Sequence, residues 1–344
     1  MNPQIKLDRP PRKILIIKPS AFGDIVHSLP FLQTIKTCFP DCEIHWVVSK
    51  ELQFFLQDHP LIDKLWVFKR KEWGISSTLF TTIKELRSFF KGLRNEKFDI
   101  SVDLSGLLRS GLITFFAGAK YKLGFKESNE GSPFFYSHKI QGGKEIHAID
   151  RYLKIASFLG CSIDDIHYPF APFDEKPPVF DLLPEKYAIM VPSAGKEANR
   201  WPAERYGQLA ARLPLPSIMI GGKADAEVVQ TAVHASEGKG INLVGKTSLK
   251  DLLPVIRKAQ FMVTNDTGPM HLAAAFSVPV FAIFGPANPI RTGPYGSIHT
   301  IIREDLECSP CYRWKPCDNW QCMENITVDK VFGVIKNKMA EIVK

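Results

Sequence analysis

Short runs of consecutive apolar residues, each closed by a charge or a turn residue, alternate along this chain with longer stretches whose apolar positions recur every three or four residues. The first run is Ile14-Leu15-Ile16-Ile17, held between Lys13 and Lys18. A run apolar on both faces marks a strand buried on both sides, and the spaced pattern marks an amphipathic helix. On this reading residues 13–18, 43–48, 65–68, 99–103 and 121–125 are strands. Residues 24–38, 77–95, 107–117 and 146–159 are helices, the second of them long and basic. Strands that alternate with helices build a parallel, doubly wound sheet.

The alternation stops at Tyr168-Pro169-Phe170-Ala171-Pro172-Phe173-Asp174-Glu175-Lys176-Pro177-Pro178. Its prolines remove backbone donors and fix the chain extended, so neither a helix nor a central strand fits. This is a linker. Beyond it the pattern restarts, with strands at 187–191, 217–220, 241–244, 261–264, 280–284 and 299–303 and helices at 203–211, 226–236, 249–259 and 270–276. A last amphipathic helix covers 327–343. The expected organisation is an α/β chain with one Rossmann-like domain over 1–172 and a second over 173–325, followed by a C-terminal helix, 326–344, that packs back toward the first. With 344 residues and 45% hydrophobic content, each half can bury a core of its own. Two such sheets facing across a cleft would place ligands at the carboxyl ends of their strands.

Charge narrows the partners. The net charge is +8, and Lys69-Arg70-Lys71, Lys84, Arg87, Lys91, Arg94 and Lys97 concentrate cations in the first half. Such a surplus favours nucleic acid, an acidic lipid surface or a phosphorylated substrate, although a solvated lysine surface accounts for it equally. The first apolar run ends at Lys18 and the longest, near Leu272 to Phe284, is broken by Ser277 and Pro279. Neither a secretion signal nor a spanning segment is therefore expected, and the protein is placed in the cytoplasm. Seven cysteines in that compartment argue against a disulfide framework. Four of them, Cys308, Cys311, Cys317 and Cys322, crowd one segment; the second pair is spaced too widely for a zinc knuckle. Structural metal, packing and a redox pair all remain open for them.

Three strand-to-helix turns carry candidate chemistry. In Asn265-Asp266-Thr267-Gly268-Pro269-Met270-His271 an apolar run breaks directly into a helix of small residues. Asp266 and Thr267 suit capping of its first turn, Gly268 allows close approach, and Pro269 needs no donor there. Free N–H groups and the positive helix end favour a diphosphate. Pro192-Ser193-Ala194-Gly195-Lys196-Glu197-Ala198-Asn199-Arg200-Trp201-Pro202 offers a hydroxyl and two cations at a similar turn, with a solvated loop as the plain alternative. Gly23-Asp24, after the first strand, sets a carboxylate at the edge of its sheet, where an ordinary N-cap would also explain it. Asp225 and Glu227 could receive ribose hydroxyls, or Asp225 could cap its helix. Neither a G-x-G-x-x-G turn nor a Walker A loop follows a strand, so redox dinucleotide and P-loop chemistry lose support. An Asp-x-Asp pair is missing too, so no metal is expected in the site.

Taken in order, Ile14 to Pro30 with its Lys18-Pro19-Ser20-Ala21-Phe22-Gly23-Asp24 core, Asp103-Leu104-Ser105-Gly106-Leu107-Leu108-Arg109-Ser110, Arg200-Trp201-Pro202, Asn265 to His271, Phe284-Gly285-Pro286-Ala287-Asn288-Pro289 and the cysteine segment closely resemble the ADP-heptose:lipopolysaccharide heptosyltransferases. The resemblance runs from about residue 13 to the C-terminus. It implies a GT-B architecture, with the nucleotide sugar in the second domain and the acceptor in the first, and metal-independent, inverting transfer of heptose from ADP-heptose to the inner core of lipopolysaccharide. Asp24 stands where the family has its general base. Ser193, Thr247, Asp266, Thr267, Gly268 and His271 match donor-binding positions, with Glu227 also assigned to the donor. Asn199 replaces the family's usual Lys, leaving Lys196 or Arg200 to meet phosphate, and Ser105 stands where many members have Gln. Arg109, Lys69 and Arg70 are expected to meet acceptor phosphate or carboxylate. The expected protein needs no cofactor, is a monomer, binds no nucleic acid and lies peripherally at the cytoplasmic face of the inner membrane. A GT-B transferase with another donor or acceptor is the alternative, and a basic, zinc-holding nucleic-acid binder is the alternative of a different class.

Overall fold

The computed structural model describes residues 4–69, 72 and 79–342. Two compact units, Met1–Pro172 and Phe173–Lys344, divide within the proline-rich segment.

The first unit runs β1 (Lys13–Ile17), α1 (Phe22–Cys38), β2 (Glu43–Ser49), α2 (Gln53–Leu56), β3 (Lys64–Phe68), α3 (Leu79–Asn95), β4 (Ile100–Asp103), α4 (Leu108–Ala117), β5 (Tyr121–Phe125), β6 (His138–Ile140) and α5 (Ala148–Phe158). Its strands pair in parallel in the order β3-β2-β1-β4-β5-β6. Ile14 to Ile17 of the central β1 are wholly buried, as a strand covered by helices on both faces must be. On one face Leu15, Ile17 and Val47 pack with Phe89 and Leu93 of α3 and Ile113 and Ala117 of α4. On the other lie α1 and α5; α1 is buried nearly all round, Ile25, Val26, Leu29, Phe31, Leu32 and Ile35 included. That packing corrects one expectation. Cys38 closes α1 and Cys161 follows α5, and the two are joined in a disulfide with their Cα atoms 5.5 Å apart. Sequence distance hid the pair, and the contact between the two helices creates it.

The second unit runs β7 (Ala188–Val191), α6 (Ala203–Arg212), β8 (Ser217–Met219), α7 (Ala226–His234), β9 (Gly240–Asn242), α8 (Leu252–Arg257), β10 (Phe261–Asn265), α9 (Gly268–Ala275), β11 (Val280–Phe284), α10 (Pro289–Thr292), β12 (Thr300–Arg303), α11 (Gln321–Glu324) and α12 (Val328–Ile342). The parallel order is β12-β11-β10-β7-β8-β9. Counted from its own first strand and read from the other edge, this is the same 3-2-1-4-5-6 order as in the first unit. The strand order therefore reverses between β1 and β4 in one sheet and between β7 and β10 in the other. Ligand crevices of doubly wound sheets open outside the carboxyl ends of those strands.

Trp201, Tyr206 and Leu209 pack with Met190, Val263 and Phe281 in the core of this unit, where α12 also seats Val331 and Ile335. Trp201 precedes the N-cap of α6 and meets Tyr206, in its first turns, edge to face at 5.0 Å. This is a hydrophobic staple, and it fixes how the chain enters the helix. The helix expected over 249–259 is shorter. Asp251 Oδ2 accepts the Ser248 N–H at 2.8 Å and Ser248 Oγ accepts the Asp251 N–H at 3.2 Å, an exchange that holds residues 248–251 as a turn and delays the helix.

Candidate active site

In the first unit the reversal point is occupied by the end of β1 and the turn after β4. Asp24 is the third residue of α1, and the N-cap is Ala21. Asp24 Oδ2 accepts the Ala21 N–H at 3.0 Å, so the carboxylate reaches back to the cap from within the first turn, where the helix dipole favours an anion. The side chain remains 42% exposed. It is thus anchored through one oxygen and still open to a reactant.

Lys18, which the sequence marked only as the end of a strand, lies beneath it. Its side chain is 6% exposed, with Nζ 3.6 Å from Asp24 Oδ2 and donating to Leu104 O at 3.4 Å. Nζ also stands 5.4 Å from the Tyr152 ring centroid. Burial disfavours the ammonium, but Asp24, Tyr152 and Asp103 favour it more, and its pKa moves up. A fixed cation therefore holds one side of the Asp24 carboxylate. Asp103, wholly buried at the end of β4, supports the same edge. Its Oδ1 accepts the N–H groups of Ser105 and Gly106 at 2.8 and 2.9 Å and its Oδ2 the Tyr136 hydroxyl at 2.7 Å. Burial raises the Asp103 pKa against the lowering effect of Tyr136 and those N–H donors. Gly106 has φ +67°, and a Cβ there would stand 2.4 Å from Ser128 Oγ, which accounts for the glycine in this turn.

In the second unit the corresponding edge holds a cavity of about 390 Å³. Its walls come from the ends of β7 (Val191, Ser193) and β8 (Ile220 to Lys223), the loop after β9 (Gly245, Thr247), α8 (Leu252) and the start of α9 (Thr267, Pro269). Mostly apolar walls with a few hydroxyl and backbone groups suit a small organic ligand carrying a polar head. Asn265 organises the opening. Wholly buried, it donates from Nδ2 to the carbonyls of Val191, Pro192 and Ser193 at 3.3, 2.9 and 3.4 Å, and its Oδ1 accepts the Trp201 N–H at 3.0 Å. One side chain ties both ends of the Ser193–Arg200 loop to β10.

Thr267 is the N-cap of α9, but its hydroxyl makes no capping bond, contrary to expectation. The backbone turns so that the Met270 N–H bonds the Thr267 carbonyl at 3.1 Å. Asn199 is 5% exposed and donates from Nδ2 to Asp266 Oδ2 at 3.4 Å. Asn199 thereby links the two loops.

Ser193, Thr247 and Thr267 line the cavity, and Gly268 and the buried His271 follow in α9. Asp225 lines it too; it stands at the N-cap position of α7 without a side-chain capping bond, and its carboxylate instead accepts the Gly222 N–H of the preceding turn at 2.9 Å. Glu227, two residues on, is exposed and outside the lining. Arg200 spans its own loop, Nε donating to Ala194 O at 2.9 Å. Lys196 donates to Tyr312 O at 3.5 Å and sits 5.3 Å from the Trp314 ring centroid, so the cysteine-bearing segment lies against this loop. Among the described residues no group of three or more His, Cys, Asp or Glu side chains is arranged to hold a metal ion. In the first unit Lys69 pairs with Glu85 of α3 at 3.4 Å, Arg109 is the second residue of α4, and Arg70 lies outside the described residues. No helix among them is long and apolar enough to cross a membrane.

The chain is 26% identical to the lipopolysaccharide core heptosyltransferase OpsX of Haemophilus influenzae, over 95% of this chain and 96% of that protein. It is also 26% identical to lipopolysaccharide heptosyltransferase 1 of Escherichia coli K12, over 86% and 94%. Among solved structures it resembles Escherichia coli ADP-heptose LPS heptosyltransferase II (TM-score 0.77, 24% identity, 96% of this chain and 100% of that one). The Escherichia coli heptosyltransferase WaaC with ADP-2-deoxy-2-fluoro heptose is similar (TM-score 0.75, 22% identity, 94% and 99%). These likenesses bear out the α/β fold of GT-B type with two parallel sheets. Residues 86–320, more than half the chain, match the model of glycosyltransferase family 9 (heptosyltransferase). With its paired Rossmann-like sheets and its two turns at their reversal points, the chain belongs to glycosyltransferase family 9, the heptosyltransferases.

Proposed function

We propose that this protein moves a heptose from ADP-heptose to a Kdo-containing acceptor of the lipopolysaccharide inner core, inverting the anomeric carbon, with Asp24 as general base. The observation that carries the reading is Asp24 itself, a half-exposed carboxylate pinned to Ala21 N–H and Lys18 at the carboxyl edge of its sheet. The acceptor hydroxyl gives its proton to Asp24 as its oxygen attacks the anomeric carbon of the heptose. The bond from that carbon to the diphosphate oxygen breaks, and ADP leaves with the electron pair. Adenosine fits the cavity in the second unit, with Ser193, Thr247 and Asp225 as its polar contacts. The diphosphate then meets the Thr267-Gly268 turn, and its growing charge is met by the α9 N–H groups with Lys196 and Arg200 nearby. No bound metal has a part in this scheme. Arg109, Lys69 and Arg70 serve the acceptor's anionic groups.

Incubation with ADP-heptose and a deacylated core acceptor, in the presence of EDTA, should release ADP and yield a heptosylated product. Running UDP- and GDP-sugars beside it tests the donor. Turnover of one of those with none of ADP-heptose would overturn the donor, and loss of product on chelation would overturn the metal-free stabilisation of ADP.

A further inference from the structure

The first unit carries an exposed aromatic surface that the site described above does not use and that joins the core only through Phe90. On α4, Phe115 and Phe116 are 51% and 41% exposed, and Phe134, on the short turn beside it, is 87% exposed. Four rings form a connected group, with Phe115 and Phe116 at 5.3 Å, Phe116 and Phe90 of α3 at 4.8 Å, and Phe115 and Phe135 at 5.9 Å between centroids, and Phe134 adjoins Phe135 in the chain. Isolated exposed rings are ordinary on a protein surface; a contiguous set of this size marks a contact surface.

Charge identifies what it contacts. Along α3 beside these rings, Lys84, Arg87, Lys91 and Arg94 are exposed, against the single acid Glu85, which pairs with Lys69. Ile83, Arg87, Phe90 and Arg94 recur every three or four residues, so cations and apolar groups share one stripe of the helix. Arg94 reaches the end of α4, its Nη1 3.2 Å from where a Cβ on Gly118 would stand. Exposed rings flanked by cations match a bilayer with anionic headgroups, the rings entering the acyl boundary while lysine and arginine meet phosphate. A second copy fits worse, because a twofold contact through this face would set the α3 cations against their own images.

We propose that the α3–α4 face, with Phe115, Phe116 and Phe134 as its apolar anchors and Lys84, Arg87, Lys91 and Arg94 as its cations, docks the protein on an anionic lipid bilayer. The choice of a lipid occupant rests on the reading that the acceptor is a lipid-borne sugar. Docking here places the first unit against the surface that carries such an acceptor, and no spanning helix is required.

Co-sedimentation of the full chain with vesicles of phosphatidylglycerol and phosphatidylethanolamine, and with vesicles of phosphatidylcholine alone, tests this directly. Binding is expected to the anionic vesicles only and to fall several-fold in 0.5 M salt. A Phe115→Ser/Phe134→Ser variant should lose at least about tenfold in partitioning, and Arg87→Glu/Lys91→Glu should lose at least as much. Both should keep wild-type melting temperatures and wild-type turnover of a deacylated, water-soluble acceptor. Failure to bind anionic vesicles overturns the proposal, as does equal, salt-insensitive binding to both kinds. Self-association abolished by the phenylalanine variants would assign the face to a second copy and overturn it too. Vesicle binding without turnover of the soluble acceptor would leave the docking surface standing and remove the proposed reaction instead.

Discussion

Asn265→Ala is the substitution for which the structure gives the fullest arithmetic. Truncation removes the acceptor of the Trp201 N–H at 3.0 Å and the donor to the Pro192 carbonyl at 2.9 Å, all within a region closed to water. A buried polar group left without a partner costs about 1–3 kcal/mol, the N–H more than the carbonyl. The two longer contacts, to Val191 and Ser193 at 3.3 and 3.4 Å, add little. The sum is about 3 kcal/mol, which for a domain of this size lowers the melting temperature by roughly 6–12 °C. Since the same side chain ties down both ends of the Ser193–Arg200 loop, the KM for donor should rise while kcat, set in this account by Asp24, changes less. Calorimetry and initial rates at saturating acceptor measure both. A loss below about 1 kcal/mol with an unchanged donor KM would refute the view that Asn265 organises the donor side.

Three further outcomes follow from other parts of the molecule. Glu96 is held down to about 2 by hydrogen bonds from Lys64 and Lys13 at 2.7 and 2.9 Å. Its stabilisation is therefore complete above its ordinary value of 4.5 and is lost as pH falls toward 2; screening at the half-exposed Lys64 limits it to about 1–2 kcal/mol, and urea denaturation of Glu96→Gln should match wild type at pH 2 but not at pH 6. Burial lowers the Lys18 pKa, Asp24, Tyr152 and Asp103 raise it more, and the net rise means that its contribution is complete below 10.5 and lost as pH climbs through the higher folded value. Lys18→Met should accordingly show a shallower alkaline loss of stability than wild type and a kcat reduced about tenfold or more, because the Asp24 carboxylate loses the cation that orients it; wild-type kcat in this variant would remove Lys18 from the base's support. A Cβ at Gly207 of α6 would stand 2.3 Å from the Ala232 carbonyl of α7, so Gly207→Ala should cost about 2–4 kcal/mol by chemical denaturation, and a neutral result would mean that the two helices separate freely.

The sheets were legible in the sequence because their central strands β1, β4, β7, β10 and β11 are buried along almost their whole length. Ile14 to Ile17 and Val263 next to Phe261 and Met262 can be nothing but central strands, and the proline run between the two series separates them. What escaped lacks an apolar run: His138-Lys139-Ile140 forms the edge strand β6 with two polar residues of three. The candidate site divides in the same way. Ser193, Thr247 and Thr267, which the family resemblance assigned to the donor, all line the cavity of the second unit. Lys18, Asp103, Tyr136 and Tyr152 were not legible, because their roles depend on neighbours far away in the chain. A lysine that ends an apolar run looks like a solvated stop until Leu104 and Tyr152 are seen around it. The Cys38–Cys161 bond escaped for the same reason, since only the packing of α1 on α5 brings those sulfurs together.

Asp24→Asn keeps the size of the side chain and its oxygen for the Ala21 N–H while removing the proton acceptor, so it separates base catalysis from donor binding. The measurement is heptosyl transfer from ADP-heptose to deacylated core acceptor, followed by product mass, beside the Kd for ADP-heptose on the same preparation. A kcat reduced about a hundredfold or more with an unchanged Kd is the predicted result. Turnover within about threefold of wild type would contradict the assignment of Asp24 as the base and with it the proposed mechanism.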